Sequence, residues 1–242
     1  MGISESKPDK IIEKYKLTDY EWYDEDGKLH RDNDLPARIT FNKNIIFKEE
    51  WYLHGLLHRK ENKPAIIQYR EGTNDILWSE WLLNGARHRE DGPAFILYNE
   101  NGKLIREEWY LNGVRHNVNG PAMIYYNDNG VPIKEEWYFN NLQHRENGPA
   151  RFLRDEFGNM KVNYWMRNGR FHNSTRPAIV NFDTHGNITS KQYYYEGKRV
   201  SNDFIKMNII NELWEREEID NQFQYLPLEM LNITKQLYKY EK

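Results

Sequence analysis

Six histidines recur in register along the chain: His30, His58, His88, His116, His144 and His172. Four are followed by arginine (Arg31, Arg59, Arg89, Arg145) and two by asparagine (Asn117, Asn173). Two chemistries suit such a row. Imidazoles bind transition metals, and a line of His-Arg pairs offers an edge for phosphate or carboxylate groups. Metal binding needs ligands at bonds of about 2 Å from one ion, whereas residues two or three strands apart lie roughly 10–14 Å from each other. Each His is therefore expected to pack beside a Trp and bond loop backbone, with no metal and no cofactor. His54 and His185 fall outside the register, with no cluster of ligands near them in sequence. Acidic neighbours Glu61, Glu90, Asp91 and Glu146 offset the arginines, so local pairing competes with anion binding. His58, Arg59, His88, Arg89, His116, His144 and Arg145 are the candidate interaction edge.

These residues sit in a unit written six times. A Trp heads each copy, at Trp22, Trp51, Trp81, Trp109, Trp137 and Trp165, seven residues before the His, or eight in the first copy. A Pro-Ala pair closes each loop, at Pro36, Pro64, Pro93, Pro121, Pro149 and Pro177. A period of 28 to 30 residues marks a solenoid or array in which each unit buries its apolar surface against its neighbours. After each Pro-Ala the chain alternates. Ile39, Ile67, Ile96, Ile124, Phe152 and Val180 fall on one face with Phe41, Tyr69, Tyr98, Tyr126, Arg154 and Phe182. Period two with one apolar face is a strand with one buried side. Arg154 breaks the aromatic column, which suggests water near the sheet there. Arg38, Phe95 and Arg151 fall on the opposite, outward side, with Ile66, Met123 and Ile179 at the same position of other copies.

Asn84-Gly85, Asn112-Gly113, Asn168-Gly169, Asn101-Gly102 and Asn129-Gly130 predict two-residue hairpin turns, because Asn-Gly supplies the positive φ angles these need. Glu108-Trp109-Tyr110-Leu111 reads as one strand, with Trp109 and Leu111 sharing a face. A seventh partial unit places Tyr194 at the Trp position, with Glu196-Gly197 as its turn. About 14 strands at ~4.8 Å each give a body on the order of 65 Å long. The expected fold is mostly β: an elongated antiparallel β-meander or solenoid of six to seven hairpin repeats of 28–30 residues with a C-terminal α-helical cap. A single-layer sheet must cover its apolar face, by curling, by terminal helices or by a second chain.

The expected domains are a lead-in segment at 1–19, the repeat body at 20–200 and the helical cap at 201–242. Ile11, Ile12, Tyr15 and Leu17 suit a short helix or a lead-in strand. Phe204, Met207, Ile210, Leu213 and Trp214 recur at helical spacing behind Ser201 or Asn202 as cap. A second helix is expected from Pro227, with Leu228, Leu231 and Tyr238 on one side.

The net charge of −3 gives no electrostatic case for nucleic-acid binding. The absence of cysteine removes thiolate chemistry and fits a reducing compartment. No apolar run is long enough to span a membrane, and no secretory signal opens the chain, so a cytoplasmic protein is expected. Met1-Gly2-Ile3-Ser4-Glu5-Ser6 matches the N-myristoylation pattern, and membrane contact is expected only if Gly2 is lipidated. Aromatic columns can hold cationic ligands between repeats, as in choline-binding arrays; the competing reading makes them core. Catalysis needs dissimilar groups converging at one place, whereas every acid and base of the body repeats, so no enzyme and no catalytic residue is expected.

Trp-Tyr-Leu-Asn-Gly followed by His and Gly resembles the MORN repeat, a shorter unit of two strands. The longer His-Arg-x-x-Gly-Pro-Ala form resembles repeats found in giant DNA viruses such as the marseillevirus group. The resemblance covers about Tyr20 to Arg199. It implies a non-enzymatic scaffold that binds proteins and often dimerises, as a virion or virus-factory component. It also leaves open a small module acting as an antitoxin or immunity factor. Protein partners, first a second copy of the chain as a homodimer, are the expectation.

Overall fold

A computed structural model describes residues 6–215. Gly2 and the helix expected from Pro227 lie outside the described residues. Among the described residues fifteen strands hydrogen-bond in chain order as an antiparallel meander, from Lys10–Lys14 to Lys198–Val200, and one helix, Asn202–Glu215, follows them. The fold is mostly β, as the alternation predicts. Two compact units divide it: Met1–Leu142 with Phe152–Asn159, and Gln143–Arg151 with Met160–Lys242.

In the first unit the lead-in segment is a strand. Lys10–Lys14 pairs with Leu17–Glu21 from Lys10↔Glu21 to Lys14↔Leu17, and Leu17–Glu21 is already the first repeat strand. Each later copy contributes two long strands, such as Phe95–Tyr98 and Leu104–Glu108. The segment after Glu108 departs from expectation. The long strand stops there, and Tyr110–Leu111 pairs with Val114–Arg115 as a separate hairpin. Trp109 causes the break. Its N–H donates to the Ala122 carbonyl at 2.8 Å, and its own carbonyl accepts the His116 N–H at 3.2 Å. The first bond is the last of the ladder with the following strand. With the carbonyl turned to His116 instead, the chain leaves the ladder and folds the hairpin back over the sheet.

That hairpin layer covers one sheet face. Leu57 and Leu82 pack with Ala65 and Ile66, and Tyr110 packs with Trp81 and Ala94. The face read as outward is covered as well: Ile66, Met123 and Ile179 are buried, and Phe95 lies under the Arg87 guanidinium. On the face read as buried, Ile39 and Val180 are buried and Ile96 packs on the Trp81 cluster. The repeat's own hairpins thus bury apolar residues of the side that the sequence reading left open to water. Leu111, on the outer side of its hairpin, is 42% exposed and does not share the Trp109 face.

Asn84-Gly85, Asn112-Gly113 and Asn168-Gly169 form the predicted turns with both residues at positive φ. Asn101-Gly102 and Asn129-Gly130 do not. Only the glycines turn left-handed, each at φ 76°, and the ladder slips between Leu97 and Tyr98 and between Tyr125 and Tyr126. These are three-residue loops with a bulge, selected because the Asn99 side chain accepts the N–H groups of Asn101 and Lys103. The Trp22 hairpin uses the same loop, from Asp24 to Lys28, which adds the residue that puts His30 eight after Trp22.

In the second unit, Gln192 accepts the Ala178 N–H just as Glu108 accepts that of Ala94. Tyr193, one residue before the expected Tyr194, therefore holds the Trp position. Ser201 Oγ accepts the Phe204 N–H at 3.1 Å and caps the helix. Among the described helix side chains Ile205 is buried, while Phe204 is exposed and meets Tyr195 edge-on. Among the described residues no helix is long and apolar enough to cross a membrane.

Candidate functional site

Each loop from His to Pro-Ala is built around its Trp. The Arg after the His lies over the indole, 3.8 Å from the ring centre for Arg31 on Trp22, 3.7 Å for Arg59 on Trp51 and 4.1 Å for Arg89 on Trp81. A guanidinium over Trp is a cation–π contact, and here its edge also donates to the carbonyl of the loop proline. Arg59 reaches Pro64 at 3.2 Å, Arg89 reaches Pro93 at 3.1 Å and Arg145 reaches Pro149 at 3.4 Å. Asn117 does the same to Pro121 at 3.0 Å. Burial lowers the pKa of Arg31 and, most strongly among its causes, of Arg89. The arginines of the candidate edge thus have internal work in each loop.

This stack explains the loop glycine. A Cβ at Gly92 would meet Arg89 Cζ at 3.0 Å, and one at Gly148 would meet Arg145 Cζ at 2.9 Å. The first two copies carry Leu35 and Lys63 there instead. Their loops hold an extra residue and pass through two left-handed residues each, Asn33-Asp34 and Glu61-Asn62, which turn the backbone aside. The carbonyls of Asp34 and Asn62 accept the indole N–H groups of Trp51 and Trp81 at 3.0 and 2.9 Å.

The histidines join one copy to the next. His88 Nδ1 accepts the N–H of Asn112 at 3.1 Å, and His172 Nδ1 accepts that of Glu196 at 3.2 Å. His58 and His144 meet the corresponding turn residues Asn84 and Asn168. His116 packs on Phe139. The backbone bonding predicted for them is therefore specific: it reaches the turn of the following hairpin. His54, outside the register in sequence, is part of this contact. It stacks on His30 with ring centres 4.4 Å apart and bonds Asp24 at 2.7 Å. Among the described residues no three His, Cys, Asp or Glu side chains group as metal ligands do.

One column escaped the sequence reading. The residue before each Trp is Glu in five copies: Glu21, Glu50, Glu80, Glu108 and Glu136. Four of these are buried, and Glu108 is 0% exposed. Its carboxylate is held by Arg106, by Arg115 at 3.3 Å and by the Tyr110 hydroxyl at 2.7 Å. Arg38 lies between Glu21 and Glu50, at 2.6 and 3.7 Å. Burial works to raise the Glu21 pKa, but hydrogen bonds from Tyr23 and Arg38 outweigh it, so the value is lowered. Burial and the neighbouring Glu50 push the Tyr52 phenol up to about 12. The constant Glu before a Trp was the available signal.

On the other face Tyr69 and Tyr126 donate to Glu49 and Glu107 at 2.6 and 2.7 Å. Burial first, then these bonds, raises both phenols. Arg154 occupies the same place and pairs with Glu135, so it replaces a tyrosine hydrogen bond by an ion pair and does not mark a watery edge.

No protein-family model matches the chain, and no curated protein matches it.

Proposed function

We propose that the chain is a non-catalytic β-repeat scaffold that receives protein partners, first a second copy of itself, on the outer face of its Trp hairpins. The observation behind this is a set of exposed apolar residues recurring at the same hairpin positions. Leu56, Leu111, Phe139 and Leu142 are 51%, 42%, 51% and 48% exposed. Recurring exposed apolar groups mark interaction surfaces, because association removes their area from water. Loss of catalytic character follows from repetition: the His, Arg and Glu side chains make the same internal contacts in copy after copy, whereas a reaction centre gathers unlike groups once.

A photo-reactive benzoylphenylalanine placed at Leu111 or Phe139 tests this. Irradiation is expected to give covalent dimers from either position and none from a control at Tyr15, which is 97% exposed. Equal yields from all three positions would remove the hairpin face from the proposal. The viral setting suggested by the resemblance has its own test, the presence of the chain in purified virions.

A further inference from the structure

The copies disagree at one place where the disagreement leaves an indole without its arginine. Arg31, Arg59 and Arg89 each lie over the Trp of their own copy. The sixth copy has Asn173 at that position, and among the described residues no cation lies over Trp165. Asn173 does not reach toward a proline carbonyl as Asn117 does. Its side-chain oxygen accepts the N–H groups of Thr175 and Arg176 at 3.0 and 2.9 Å, so the side chain is tied to its own loop. The slot between the loops at His144 and His172 measures about 470 Å³, as does the slot over Trp22, against about 260 Å³ for the slots over Trp51 and Trp81. What sets it apart is the indole left without a guanidinium. Its far wall is braced, since Asn208 of the helix donates to the Ser174 carbonyl at 3.2 Å.

The charge of this slot also differs. Arg145, Arg167 and Arg176 line it against a single acid, Glu146. Arg167 and Arg176 are exposed and make no ion pair among the described residues. The slot over Trp81 sets Glu61, Glu90 and Asp91 against its own cations. A cationic ligand is therefore repelled from the Trp165 slot, while an anion gains charge-assisted hydrogen bonds from guanidinium groups.

We propose that the Trp165 slot binds a small planar aromatic ligand bearing a phosphate or carboxylate. The ring stacks on the indole in the place that arginine fills elsewhere, and Arg167 and Arg176 hold the anionic group. The proposal stands independently of the partner surface on the hairpins.

Titration with AMP and phenyl phosphate, followed by the NMR signal of the Trp165 indole N–H, tests it. A Trp165→Phe variant assigns that signal. Both probes are expected to shift it with saturation, while adenosine and inorganic phosphate, each carrying half of the chemistry, bind about tenfold more weakly or less. Asn173→Arg restores the arginine of the other copies and is expected to abolish binding while leaving the thermal midpoint unchanged or higher. If that variant fails to fold, the surface double variant Arg167→Ser/Arg176→Ser decides, with a loss of about tenfold or more expected. No shift at millimolar probe overturns the proposal. So do equal shifts at Trp81 and Trp165, or unchanged affinity in a folded Asn173→Arg or in the double variant.

Discussion

His88 Nδ1 accepts the backbone N–H of Asn112 at 3.1 Å, across 24 residues of chain. An acceptor at Nδ1 places the ring proton on Nε2 and makes the bond a link between two consecutive hairpins. His88→Phe keeps the ring and removes the acceptor. It is expected to lower unfolding free energy by about 1 kcal/mol and to speed hydrogen exchange at the Asn112 amide. Unchanged exchange there would mean that the link contributes nothing.

The buried carboxylate of Glu108 is expected to be the most sensitive single position. Glu108→Gln retains the shape but leaves the Arg106 and Arg115 guanidiniums facing a neutral group. Breaking a buried ion pair from one side costs about 3–5 kcal/mol, read here from urea denaturation. A loss below about 1 kcal/mol would show that water reaches the site and screens it.

The glycine and arginine of one loop are expected to be coupled. Gly92→Ala pushes a methyl against Arg89 and should cost about 1–3 kcal/mol, as overpacking does. Gly120→Ala meets only the Asn117 amide, at 3.4 Å, and should be nearly neutral. Adding Arg89→Asn to Gly92→Ala should recover part of the loss. Strict additivity in that double-mutant cycle would separate the two residues.

Acid should weaken the long-loop hairpins. The Asn187 side chain, then the Asn187 backbone N–H, lowers the pKa of Asp183 from its ordinary 3.8, and Asn159 does the same to Asp155. A carboxyl with a lowered folded pKa contributes stability that is complete above 3.8 and is lost as pH falls through the lower folded value. Asp183→Asn should therefore make the thermal midpoint less dependent on pH below that point. An identical acid limb in both proteins would contradict the assignment.

What was legible in the sequence follows from backbone demands. Asn84-Gly85 could be read because few other pairs accept two left-handed residues, and the Ala of each Pro-Ala because only a small side chain fits: Ala37, Ala65, Ala94, Ala122, Ala150 and Ala178 are all 0% exposed. The bend at each Trp was hidden, since alternation continues through Glu108-Trp109-Tyr110 although the hydrogen bonds change partner. The glutamates escaped for the same reason: nothing in the alternation shows the hairpin that buries them. Arg59 and Arg89 read as an open edge because nothing local in sequence places an arginine over a Trp eight residues earlier. Where copies differ, at Asn117 and Asn173, the sequence marked the positions, but only the side-chain hydrogen bonds separate an asparagine that replaces the arginine from one that vacates its place.

The scaffold reading is tested most directly by light scattering after gel filtration, across the micromolar range, for the natural chain and for Leu111→Asp/Phe139→Asp. A dimer that becomes a folded monomer in the double variant is the predicted result. A natural chain that is monomeric throughout, or a variant that remains dimeric, would contradict it.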